Sequence, residues 1–192
     1  MSADFEKIWP HVNSVQGFLS SPCQEEWLYH AAKEIAGVED MGNILEVGSF
    51  MGRSTSCLAF ACMCTKCRVH VVDLFHLDAH TDLPKEYENI FRANMERLGL
   101  TEYIQIHRGR SSEFGQFDFG RIGMLFIDAS HEYEDVKSDF YMYSRHVCTG
   151  GWIVLHDVFS HEGPTRLWNE VKNTLTNPGA CGNMAFGRKT KD

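Results

Sequence analysis

The stretch Ile44-Leu45-Glu46-Val47-Gly48-Ser49-Phe50-Met51-Gly52-Arg53-Ser54-Thr55-Ser56 constrains this chain more than any other. A short apolar run carries a carboxylate near its end, a glycine-spaced turn follows, and a Ser/Thr cluster then stands where a helix can begin. That order predicts a buried strand, a tight turn and a helix N-terminus near Ser54. Gly48 and Gly52 allow a sharp turn and a close approach of backbone to a ligand. The first N–H groups of the helix, and the positive end of its dipole, face the same turn. A small polar ligand held against bare backbone is the expected use of this corner.

The same grammar recurs downstream. Arg68 to Asp73 reads as a second buried strand ending in a carboxylate, 25 residues beyond Gly48. At that separation two neighbouring parallel strands frame one nucleoside, and the carboxylate can accept hydrogen bonds from both ribose hydroxyls. Tyr103 to His107 is a third strand, followed by Gly109-Arg110-Ser111-Ser112, and Ile122 to Asp128 is a fourth. Trp152 to Asp157 is a fifth, after Gly150-Gly151. Helices are expected between them. Pro84 opens one with Tyr87, Phe91, Met95 and Leu98 in line, closed by Gly99. Tyr133, Val136, Phe140, Tyr143 and Val147 mark the next. Pro164 starts the last, with Leu167, Trp168, Val171 and Leu175 buried, and Asn177-Pro178-Gly179 stops it. Met184 to Lys189 reads as one closing strand, and a sixth strand is not legible. Strands alternating with helices predict an α/β fold with a three-layer, doubly wound, mainly parallel sheet. Its ligand belongs outside the carboxyl ends of the strands, four of which end in Glu46, Asp73, Asp128 and Asp157.

A length of 192 residues suits one such domain, with residues 1–42 as a helical leader and 43–192 as a Rossmann-like core. In the leader, Phe5, Ile8, Trp9 and Val12 sit at helical spacing, and Pro10 is expected to break or end that helix. Ser21-Pro22-Cys23-Gln24 looks like a capping box opening a helix with Trp27, Leu28, Ala31, Ala32 and Ile35 on one side, ending at Gly37. The leader is expected over the sheet edge, with Trp9 and Phe18 as candidate substrate contacts. A net charge of −8 argues against nucleic acid as a partner. No apolar stretch reaches the length of a membrane span, and the acidic, polar N-terminus is no signal peptide. Seven cysteines, an odd number, suggest reduced thiols and a cytoplasmic protein. Cys57, Cys62, Cys64 and Cys67 crowd together, which invites a metal, yet most fall in the first core helix where cysteine packs as a small apolar residue. The segment carrying His76, Asp78, His80 and Asp82 reads as a polar surface loop.

Two ligand classes use a corner like Gly48–Ser56. A pyrophosphate wants G-x-G-x-x-G, but Phe50 stands where the middle glycine belongs and Glu46 would repel the charge. A carboxylate there suits a cationic end, such as a sulfonium amino acid. The segment E-V-G-S-F-x-G-R-S-T resembles motif I of class I S-adenosylmethionine-dependent methyltransferases. The most specific signature is I-D-A-S-H-E-Y-E-D-V-K-x-D-F, followed by G-G-W-I-V-L-H-D-V. It is similar to the O-methyltransferase branch that includes tailoring enzymes for sugar and aminocoumarin antibiotics, written I-D-G-x-H-x-Y-x-x-V-x-x-D and G-G-x-I-x-x-H-D. Alanine at 129 replaces the common glycine, and the resemblance runs from about Val15 to Lys189.

The resemblance implies S-adenosyl-L-methionine held by Glu46, Gly48, Ser49, Phe50, Gly52, Ser54, Asp73, Arg110 and Ser111, and a small-molecule acceptor methylated on oxygen. Methyl transfer is a direct displacement, so an acceptor hydroxyl must be aligned and lose its proton. A histidine near neutral pKa can take the proton, or a divalent cation can lower the hydroxyl's pKa. Asp128 and Asp157 end neighbouring strands and can converge on Mg²⁺. His131 and His156 are base candidates beside them, and His161 is a weaker one. In the resembling family these two segments supply a metal site in some members. Asp128, His131 and His156 are therefore the catalytic candidates, and Asp128 and Asp157 the metal candidates. A nicotinamide-dependent oxidoreductase and a non-catalytic cofactor-binding module are the competing readings, and a leader helix of this kind often contributes to a homodimer.

Overall fold

Three of the central strands are buried along almost their whole length, as expected of a sheet covered on both faces. In the computed structural model, which describes residues 1–19, 21–76 and 83–190, β1 (Asn43–Val47), β2 (Val69–Asp73), β3 (Ile104–Arg108), β4 (Ile122–Ile127) and β5 (Val147–Leu155) run parallel. β6 (Leu175–Cys181) and β7 (Met184–Lys189) complete the sheet in the order β3-β2-β1-β4-β5-β7-β6, with β7 antiparallel to both neighbours. Alternation of side chains splits the core in two. Ile44, Val69, Val71, Met124, Phe126 and Val154 face one apolar layer, whereas Leu45, Val47, Val72, Leu125, Ile127 and Ile153 face the other. Helices α1 (Ala3–Asn13), α2 (Pro22–Gly37), α3 (Arg53–Cys62) and α4 (Glu88–Arg97) cover the first layer, and α5 (Tyr133–Ser144) and α6 (Glu162–Val171) the second. The doubly wound, three-layer expectation is met. Among the described residues no helix is long and apolar enough to cross a membrane.

Several local expectations are not met, each for a physical reason. Helix α1 runs through Pro10. The ring removes only the bond to the Glu6 carbonyl, and both residues are exposed, while Phe5 and Val12 anchor the buried side. Ser21 does not close a capping box: its Oγ lies 2.9 Å from Cys23 Sγ, and Gln24 turns inward, fully buried, toward His156. The leader packs across the sheet face onto α3, rather than over its edge. Helix α4 starts after Tyr87, not at Pro84, because Tyr87 N–H still bonds to the Phe75 carbonyl (3.3 Å) and His76 pairs with Glu86 as an isolated bridge. Val147 is the first residue of β5, paired with Ile122, and the chain bulges before Trp152 pairs with Met124.

The C-terminal hairpin resolves the missing strand. Asn177-Pro178-Gly179 does not stop α6; it lies inside β6, where the register slips between Thr176 and Gly179 and Asn177 takes φ +50°. An edge strand tolerates proline, since its N–H would point away from the sheet. Asp78, His80 and Asp82 lie outside the described residues.

Candidate functional site

The strand order reverses between β1 and β4, and a cavity of about 770 Å³ opens at their carboxyl ends. Gly48, Ser49, Phe50, Asp73, Arg110 and Ser111 line one part of it; Asp128, His131, Asp157 and His161 line another. Phe18 reaches the rim and packs on Phe50 with ring centroids 4.9 Å apart, while Trp9 lies elsewhere, against Phe5 and Arg53.

On the glycine side, carboxylates hold backbone. Asp73 Oδ2 accepts hydrogen bonds from Ser49 N (2.6 Å), Ser49 Oγ (2.9 Å) and Phe50 N (3.0 Å). Its Oδ1 accepts from Phe75 N (2.6 Å) and Tyr87 Oη (2.9 Å). The turn after β1 is thereby fixed by the tip of β2. Glu46 does not reach the cavity. It is fully buried, and Ser54 Oγ and Thr55 Oγ1 each donate to it at 2.5 Å, so it fastens the first turn of α3 to β1. Burial pushes its carboxyl up to about 8, against the pull of those two hydroxyls. A protonated, enclosed Glu46 cannot meet a sulfonium directly.

The two glycines also serve packing rather than ligand approach alone. Gly48 has φ +85°, and a Cβ there would lie 2.3 Å from the Asp128 carbonyl oxygen, so strand tips can close only over a glycine. Gly52 has φ +94° and caps α3, but a Cβ would run into Met95 and Phe91, away from the cavity. Arg110 and Ser111 sit on the turn after β3. Tyr143 Oη donates to the Ser111 carbonyl at 2.5 Å, and buried Asp139 stands beside Ser111 with its carboxyl raised to about 6 by burial. Asp139 and Asp135 line the cavity and were missed in the sequence reading; the D in Y-E-D-V-K-x-D-F was the available signal.

On the far side, charged groups face one another. His131 Nε2 lies 2.8 Å from Asp157 Oδ2, and the imidazole stacks on His161 with centroids 3.8 Å apart. His161 Nδ1 is 3.8 Å from Asp157 Oδ1. The hydrogen bond to Asp157 raises the His131 pKa above its ordinary value. Asp157 itself is held well below the usual carboxylate range: burial opposes this, and the hydrogen bond from His131 together with the nearby His156 outweighs it. Its φ of +57° is rare for a side-chain-bearing residue and aims the carboxylate between three histidines.

His156 departs from expectation. It is buried, absent from the cavity wall, and its Nδ1 lies 3.1 Å from Asp128 Oδ1 and 3.2 Å from Asp157 Oδ2. Burial works against its charge, yet the two carboxylates prevail and lift it to about 10. Neither oxygen lies in line with an Nδ1 proton, so the atom has close anionic neighbours and no directed hydrogen bond. Enclosed and off the cavity wall, His156 does not face the opening as His131 does. Two groups among the described residues bring their donor atoms within 4.8 Å of one another: Asp128, His156 and Asp157; and His131, Asp157 and His161. The cysteines do not gather so. Cys62 and Cys67 are 3.3 Å apart and buried, Cys57 is buried in α3, and Cys64 is exposed.

Residues 45–158 match a family profile described as a methyltransferase domain. The chain belongs to that methyltransferase family. Solved structures share its fold. The O-methyltransferase NovP gives a TM-score of 0.73 at 14% identity over 88% of this chain and 80% of its own. TomG from Streptomyces achromogenes, an O-methyltransferase of tomaymycin synthesis solved with S-adenosylmethionine, gives 0.69 at 16% identity over 100% and 91%. MycE, from the mycinamycin biosynthetic pathway and solved with Mg and S-adenosylhomocysteine, gives 0.64 at 15% identity over 97% of this chain and 54% of its own.

Proposed function

We propose that this chain transfers the methyl group of S-adenosyl-L-methionine to an oxygen of a small-molecule acceptor, in the cytoplasm, with a divalent cation such as Mg²⁺ assisting. One observation carries the reading: a single cavity joins the glycine corner to the Asp128–His131–Asp157 cluster, so a cofactor on the corner has its far end at a proton-handling site. Its volume falls in the range of ordinary ligand pockets. The cradle fits a nucleoside: Gly48 presents no Cβ, and Asp73 and Ser111 border the space.

The donor set also fits a cation. Asp128 and Asp157 bring carboxylate oxygens within 4.8 Å of one another beside His156 Nδ1, which lacks a directed partner. Asp128 and Asp157 would hold the ion, in parallel with the Mg of the MycE structure. When bound, such an ion lowers the pKa of a coordinated hydroxyl. The chain's own groups do the remainder. His131, oriented through Nε2 by Asp157, stands on the cavity wall and takes the acceptor's proton. Asp73 keeps the turn in one conformation, which fixes the line of displacement.

Calorimetric titration with S-adenosylhomocysteine, with and without Mg²⁺, tests both parts. Expected is micromolar-class binding, roughly −8 kcal/mol, and a separate Mg²⁺ heat that vanishes in Asp128→Asn. Binding of NADH with no response to S-adenosylhomocysteine overturns the assignment.

A further inference from the structure

Two cysteines far apart in sequence, neither of them lining the cavity, meet at the start of α2. Cys23 Sγ and Cys181 Sγ are 3.0 Å apart although 158 positions separate them. Both are free thiols; Cys23 is exposed and Cys181 is half-buried. We propose that Cys23 and Cys181 form an oxidisable dithiol, which a peroxide converts to a disulfide tying the first turn of α2 to the β6–β7 hairpin.

The geometry leaves little to rearrange. A disulfide bond is roughly 2.05 Å long, so the sulfurs must close by about 1 Å. Cys23 is the second residue of α2 and stands exposed at the start of that helix. Ser21 Oγ lies 2.9 Å from Cys23 Sγ, on the same exposed turn. Burial, followed by the contact with Cys23, pushes the Cys181 thiol up to about 12, so Cys181 waits protonated. Exposure brings the oxidant to Cys23 first.

The chemistry balances with hydrogen peroxide as the oxidant. Cys23 thiolate attacks one peroxide oxygen, the O–O bond breaks, and the departing hydroxide leaves as water after taking a proton. Cys23 is then a sulfenic acid. Cys181 sulfur attacks the Cys23 sulfur and loses its proton; the S–O bond breaks and a second water leaves. Two thiols are oxidised by two electrons and one peroxide is reduced to two waters.

The joint being fastened is already close-fitting. Gly182, next to Cys181, lies against Gln24, next to Cys23: a Cβ at 182 would stand 3.0 Å from Gln24 Cδ. Gln24 Nε2 in turn is 3.2 Å from His156 Nε2, and Glu25 Oε1 accepts from Arg53 Nε on the cavity wall at 2.8 Å. A bond at Cys23 therefore bolts down the turn that supports His156 and Arg53. The other neighbouring pair, Cys62 and Cys67, differs in kind: both are buried, and they flank one short connection between α3 and β2.

The full-length protein, treated with one equivalent of hydrogen peroxide and digested without reductant, is mapped by mass spectrometry alongside a thermal melt. Expected are a linked Cys23–Cys181 peptide pair and a melting temperature raised by roughly 5–10 °C, as closing so long a loop implies, both reversed by dithiothreitol. Cys181→Ser and Cys23→Ser should each lose the rise. Recovery of both thiols free, capture of Cys23 only as sulfinic acid or in intermolecular dimers, or the same rise in either serine variant overturns the proposal.

Discussion

The two halves of the cavity use carboxylates in opposite ways. On the β1–β2 side, Asp73 accepts five hydrogen bonds and Glu46 two, all from the chain itself, and neither has capacity left over for much else. On the β4–β5 side, Asp128 and Asp157 face histidines across the opening, partly exposed and paired mainly with other ionisable groups. The first half is a frame, in which carboxyl oxygens are consumed in holding the chain to itself. The second is a working surface, in which charge stays available to whatever enters. A rigid cradle beside a titratable cluster is the division of labour that displacement chemistry asks for.

The largest expected effect strikes the frame. Asp73→Ala leaves five donors without their acceptor, most of them buried, and should lower stability by about 4 kcal/mol, measured by urea unfolding, with S-adenosylhomocysteine affinity falling more than tenfold. A loss under 1 kcal/mol would mean that the turn holds itself, and the contrast between halves would go. A middle effect concerns acid. His70 Nδ1 and His107 Nε2 lie 3.0 Å apart under the frame, buried among Phe114, Phe117 and Phe119. Burial, then the neighbouring His107, lowers His70 to about 4, and burial lowers His107 too. Above the ordinary histidine value both are neutral whether folded or not. As pH falls from 6.5 toward 4 the unfolded chain takes up protons that the fold resists, so stability drops across that window. His107→Gln should make the slope shallower in urea midpoints between pH 7 and 4.5; an unchanged slope excludes the pair. The smallest effect is on the working surface. Asparagine tolerates a left-handed backbone but gives up the charge facing His131 and His156, so Asp157→Asn should lower stability by about 2 kcal/mol and change S-adenosylhomocysteine affinity by less than about threefold. A loss of 3 kcal/mol would make Asp157 another frame residue.

Legibility in the sequence followed the same division. Strand tips, their carboxylates and the glycine corner were readable because period, turn residues and motif agree over short windows. That local evidence placed Ser49, Asp73, Arg110, Ser111, Asp128, His131 and Asp157 around one cavity. It failed where tertiary contacts decide direction. Nothing within the window around Glu46 says that Ser54 and Thr55 would enclose it. His156 reads like His131, and only the arrival of Gln24 from 132 residues away shows that it is shut in. The sixth strand was missed because N-P-G is the strongest stop signal in the alphabet, and pairing with β7 overrode it.

That strand has a further consequence. β6 is the outermost strand of the sheet, a position where a row of free amides could recruit another chain. Pro178 deletes one of those amides, and the register slip around it spoils the spacing of the rest. The misread punctuation mark thus acts as a guard against self-templated polymerisation at this border of the sheet. Replacing it with valine would hand the molecule an adhesive rim without touching its chemistry.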